Sequence, residues 1–151
     1  ASAIHDINIA GYDPNVPLDD NAGVGGIDIA NALQVIDNGL SSHYTFTAED
    51  LSYDKYFYVN QGQKVRAVIR WDSKAYNTDD PPVHWDDRLE ANLNLIAHDP
   101  NGNYITGSFS YDNNYEILAF TANTTGNYRV RIEELRFDGS EEYVGLAICK
   151  Y

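Results

Sequence analysis

The residues with the clearest capacity for chemistry in this chain are carboxylates. Asp72, Asp79, Asp80, Asp86, Asp87 and Glu90 crowd one stretch that fits no strand pattern, and Asp112, Asn113, Asn114 and Glu116 crowd a second, just ahead of a β-like run. Calcium takes roughly six to eight oxygen ligands in a flexible shell, which acidic loops supply readily. The expectation is a calcium site built from Asp72, Asp79, Asp80, Asp86, Asp87 and Glu90, set against the plainer reading that Asp and Asn fill turns. The spacing does not match an EF-hand loop, so the signal is compositional. A cation would also relieve the like-charge repulsion within Asp79-Asp80 and Asp86-Asp87.

Catalysis has weaker support. Ser2, His5 and Asp6 supply the three residue types of a serine-hydrolase triad, but a triad is recognised by converging geometry and not by adjacency in sequence. No glycine-rich phosphate loop of the form G-x-x-x-x-G-K-(S/T) occurs, and the spacing of His43, His84 and His98 fits no zinc pattern. The chain is therefore read as a non-enzyme. A recognition surface is the other candidate, because twelve tyrosines and two tryptophans include the cluster Tyr53, Tyr56, Phe57 and Tyr58, and Tyr76 with Trp85 flank the acidic stretch. Exposed aromatics beside carboxylates can stack on sugars or clamp peptides. Aromatics alternating along a strand are more often core, and Trp71 and Phe109 are expected there.

The elements that must position these groups divide near Gly39. Residues 1–39 read as an N-terminal arm with one helix. Ile29, Ala32, Leu33 and Ile36 recur at i, i+3, i+4 and i+7 as a single apolar stripe, with Gly26 and Asp28 able to start the helix and Asn38-Gly39 able to stop it. Such a stripe needs a covering surface, so these four residues are the expected partner-docking face. Residues 40–151 read as a β domain. Residues 43–48, 63–71, 89–98, 103–110, 115–122, 127–134 and 142–150 alternate or are rich in Tyr, Phe, Val and Ile, which predicts seven or eight strands in an antiparallel β-sandwich of jelly-roll type. Asp99-Pro100-Asn101-Gly102 and Thr124-Thr125-Gly126-Asn127 carry turn chemistry.

Composition narrows the partners. With 151 residues, 43% of them hydrophobic, the chain can bury a sizeable core. No apolar run approaches the roughly 20 residues of a membrane helix, so membrane insertion and a secretory leader are not expected. Ten Lys and Arg against 23 Asp and Glu give a net charge of −13, a surface that repels phosphate backbones and anionic lipid. Nucleic acid is not an expected partner. The single Cys149, inside the apolar run Val144 to Cys149, excludes an internal disulfide and reads as a buried thiol. Methionine is absent, including at position 1, so the first residue is read as a product of processing.

The stretch Asp20 to Leu33 resembles the last elements of a subtilisin-like serine peptidase catalytic domain, in which a G-x-G-x-(I/V)-(D/N)-x-x-x-A helix follows the segment bearing the nucleophile. The likeness continues through Lys64–Asp72, Leu93–Gly102, Asp112–Glu116 and Thr125–Arg131, which resemble the β-sandwich that follows the catalytic domain in secreted members. Asn92 and Asn94 stand where that family usually carries aspartates. The resemblance implies an extracellular, non-catalytic accessory sandwich that stabilises the enzyme or positions substrate, with the upstream peptidase domain or other copies of the chain as partners. Two other classes stay open: a structural subunit assembling into filaments or rings through its arm, and a carbohydrate-binding module.

Overall fold

The computed structural model describes residues 3–4, 26–27, 29–47, 49–72, 91–111, 113–137 and 141–151. Two short strands, β1 (Ala3–Ile4) and β2 (Gly26–Ile27), pair antiparallel, and helix α1 (Ile29–Asp37) follows them. Eight strands make up the rest: β3 (Ser41–Phe46), β4 (Ser52–Val59), β5 (Lys64–Trp71), β6 (Asn92–His98), β7 (Tyr104–Ser108), β8 (Tyr115–Thr121), β9 (Gly126–Arg136) and β10 (Glu142–Lys150). They form two antiparallel four-stranded sheets, ordered β3-β10-β5-β8 and β4-β9-β6-β7. The expected antiparallel β-sandwich is the fold.

The sheets meet because each strand carries one apolar face. Val65, Ala67, Ile69 and Trp71 of β5, Val144, Leu146 and Ile148 of β10, Leu93, Leu95 and Ala97 of β6, and Tyr128, Val130 and Ile132 of β9 are all buried in one core. This is the two-residue period of a half-buried strand written four times over. Trp71 is fully buried, as expected, and its indole N–H donates to the Ala91 carbonyl at 3.2 Å. Cys149 is buried as well.

Two readings need correction. The segment Ser52–Val59 is a full strand, whereas the sequence shows only an aromatic cluster, because its tyrosines occupy outward as well as inward positions and blur the alternation. Phe109 is not core: it is 57% exposed, and its ring lies over Gly107, where a Cβ would collide with it.

The helix ends where the sequence places its stop. Gly39 takes a φ of 63°, a conformation that costs glycine little, and the amides of Gly39 and Leu40 return to the carbonyls of Ile36 and Val35 at 3.0 and 2.9 Å. The Leu40 carbonyl then accepts from the Ile148 amide at 2.9 Å, which pins the end of α1 against β10. Among the described residues, no helix is long and apolar enough to cross a membrane.

Candidate functional site on the outer sheet face

Strand register assembles a polar and aromatic patch on the outer face of the β4-β9-β6-β7 sheet. Asp54 on β4 lies opposite Arg131 on β9, and Arg131 lies opposite Ile96 on β6. One row along, Tyr56 faces Arg129, Arg129 faces His98, and His98 faces Tyr104 on β7. The alternation that sends Tyr128, Val130 and Ile132 into the core sends Arg129 and Arg131 outward.

The centre of the patch is a charge cluster. Arg131 donates to the two Asp54 carboxylate oxygens from Nε at 2.7 Å and Nη2 at 2.8 Å, and the Arg129 guanidinium stands 3.5 Å from the same group. This fork geometry is the strong form of the pair. The hydrogen bonds from Arg131 outweigh partial burial and hold the Asp54 carboxyl below its usual range. Glu133 approaches Arg131 at 3.7 Å from the next outward position. Burial, with the two neighbouring guanidiniums, lowers the His98 pKa below its ordinary value, so the imidazole is neutral near pH 7.

Aromatic rings stand on both edge strands of this sheet. Tyr56 and Tyr58 on β4 are 61% and 54% exposed, and Tyr104 on β7 is 61% exposed. Three strand spacings separate Tyr56 from Tyr104, about 14 Å. The result is a shallow trough with tyrosine rims and a self-neutralised guanidinium–carboxylate floor, which can hold an uncharged, amphipathic chain by stacking and hydrogen bonding.

The residues expected from sequence fall elsewhere. Asp72, just past the end of β5, is exposed and bonded to Arg70 at 2.9 Å. Asp79, Asp80, Asp86, Asp87 and Glu90 lie outside the described residues, as do Ser2, His5, Asp6 and His84. Among the described residues, no group of three or more metal-ligating side chains comes together. In the second acidic run, Asp112 is outside the described residues, and Glu116 is buried with its carboxylate taking the Ser110 amide N–H at 2.6 Å and the Ser108 hydroxyl. Desolvation raises the Glu116 pKa against the pull of those two bonds. Asn114 donates to the Trp71 carbonyl at 3.0 Å, and the Asn113 amide donates to the Ser110 hydroxyl at 3.2 Å, so these groups shape the chain between β7 and β8.

The apolar stripe of α1 faces outward. Ile29, Leu33 and Ile36 are 70%, 55% and 64% exposed and Ala32 is half-buried, while Val35 at 6% is the helix residue that joins the core with Leu40 and Cys149. Sequence reading missed Asp54, Arg129, Arg131 and Tyr104 as a group, because they share a surface only through the pairing of β4, β9, β6 and β7. The alternating Arg-x-Arg of residues 129–131, opposite the Asp-x-Tyr-x-Tyr of residues 54–58, was the available signal.

No protein-family model matches the chain, and no curated protein matches it. The solved structures that resemble it include the following two. One is the pre-peptidase C-terminal domain of collagenase from Bacillus anthracis, at 12% identity with a TM-score of 0.48, covering 72% of this chain and 86% of that one. The other is PliG of Aeromonas hydrophila, a periplasmic inhibitor of g-type lysozyme, at 13% identity with a TM-score of 0.49, covering 74% of this chain and 84% of that one. At these values neither likeness assigns the chain a family or an activity.

Proposed function

We propose that the chain is a non-catalytic accessory β-sandwich of an extracellular subtilisin-like peptidase, and that it positions polypeptide substrate on the outer face of the β4-β9-β6-β7 sheet. The observation that carries the reading is the trough between Tyr56 and Tyr58 on one edge and Tyr104 on the other, floored by Arg129, Arg131 and Asp54. Because Asp54 and Glu133 together offset Arg129 and Arg131, the floor exerts little net charge, and recognition falls to stacking and to donors that an extended backbone can satisfy. The sequence likeness of residues 20–33 to the end of a peptidase domain supports the attachment.

The test is retention of the purified chain on immobilised denatured casein and, in parallel, on insoluble cellulose and chitin. We expect binding to casein, weakened about tenfold or more in Tyr56→Ala/Tyr104→Ala, since central aromatic anchors commonly contribute a large share of binding energy. Retention on a polysaccharide alone would favour the carbohydrate-binding alternative, and no retention on either would end the substrate-positioning reading.

The exposed stripe of Ile29, Leu33 and Ile36 favours a second reading, a subunit that docks to other copies through its arm. The native mass separates the two, because a particle of one chain suits an accessory domain and a filament does not.

A further inference from the structure

An amphipathic helix normally turns its apolar face to the domain that carries it, yet α1 does the reverse. Between α1 and the sandwich lies a cavity of about 190 Å³ lined by Asn31, Gln34, Asn38 and Val35 of the helix segment, with Leu40, Gln63, Cys149 and Lys150 opposite. These lining residues carry four carboxamides and one ammonium group beside three less polar side chains. Among the described residues no carboxylate lines it, although the chain carries 23 Asp and Glu against ten Lys and Arg.

The existing hydrogen bonds leave defined groups for a ligand. The Asn38 amide nitrogen donates to the Gln34 carbonyl at 2.8 Å, which leaves its side-chain oxygen as an acceptor. The Gln63 side-chain oxygen accepts the Asn60 amide at 2.8 Å, which leaves its NH2 as donor. Lys150 Nζ donates to the Tyr58 carbonyl at 3.0 Å, has two further N–H bonds, and makes no ion pair among the described residues.

We propose that this cavity binds a small organic carboxylate flanked by hydrogen-bonding groups. The carboxylate meets Lys150 and the Gln63 NH2, and a neighbouring hydroxyl or amide N–H meets the Asn38 oxygen. The volume is below the roughly 300–1,000 Å³ of drug-sized sites, so the ligand is one ring or the last residue of a chain. Two sources offer that chemistry, a uronic acid and the free C-terminus of a peptide. The inference is independent of the trough on the outer sheet face, on the other sheet of the sandwich.

The test is isothermal titration calorimetry and ligand-observed NMR of the full chain with D-glucuronate, D-glucose, N-acetyl-glycylglycine and its C-terminal amide. At least one of the two carboxylates is expected to saturate with a Kd of about 1 mM or tighter, with its uncharged counterpart about tenfold weaker. Lys150→Met and Gln63→Leu should each weaken that binding about tenfold, with the sandwich still folded by circular dichroism although each variant also loses one hydrogen bond, to the Tyr58 carbonyl or from the Asn60 amide. Glucuronate binding identifies the sugar source, and binding of the dipeptide acid but not its amide identifies the peptide source. The proposal is overturned if neither carboxylate saturates up to about 20 mM, if charged and uncharged ligands bind alike, or if both variants bind as the wild type does.

Discussion

Leu33 and Val35 stand two residues apart on α1 in opposite environments, 55% and 6% exposed, and replacing each in turn by Asp sets the orientation of the helix against measurement. The substitutions add the same charge and carry similar helix-propensity costs, about 0.5 kcal/mol or less. Full burial of a Leu side chain contributes about 2 kcal/mol, and less than half of Leu33 is covered, so Leu33→Asp should cost about 1–1.5 kcal/mol in all. Val35→Asp forfeits nearly the whole contribution of a buried Val, about 1.5 kcal/mol, and also sets a carboxylate in the core cluster beside Leu40 and Cys149. An unpaired charge there costs several kcal/mol more, so the helix should detach before the charge is buried.

The assay is amide hydrogen exchange over residues 29–40 with urea unfolding of the sandwich alongside. Protection of α1 should survive Leu33→Asp nearly intact and fall at least about tenfold in Val35→Asp, with the strands still folded in both. If Leu33→Asp instead releases the helix and Val35→Asp does not, the stripe is the seated face and the orientation argued above is wrong.

Two further outcomes follow from the sites. Asp54→Asn should destabilise the chain by about 1–2 kcal/mol at neutral pH, because it removes a forked, partly buried ion pair. The folded-state pKa of Asp54 is lowered, so its contribution is present above the ordinary carboxyl range and disappears as the pH falls through the lowered value. The variant's stability should therefore decline less than that of the wild type between pH 5 and pH 2, roughly, when unfolding is followed in urea; parallel acid limbs would refute the assignment. For the acidic stretch from Asp72 to Glu90, we expect chelation to lower the melting temperature by several degrees, since an ion held at about 100 times its Kd contributes about 2.7 kcal/mol. A melting curve indifferent to both chelator and added calcium would remove the ion from that stretch.

Local order was legible in the amino-acid sequence. The alternation in Lys64–Trp71 and Glu142–Lys150, the turn residues Asp99 to Gly102, and the helix stop at Asn38-Gly39 each report a short-range constraint, a two-residue pleat, a favoured turn, or a glycine at positive φ. From these the sandwich and helix α1 follow. Which strands are neighbours does not, because from β3 to β10 every connection except that between β6 and β7 crosses from one sheet to the other. Asp54 and Arg131 are 77 residues apart and meet only through the β4-β9 register, so the trough on the outer face is a product of pairing. The periodicity of α1 marked one apolar stripe without saying which way it would turn. That direction was decided by Leu40, whose carbonyl is held by the Ile148 amide, and by Val35, seated in the core off the stripe, which together leave Ile29, Leu33 and Ile36 facing out.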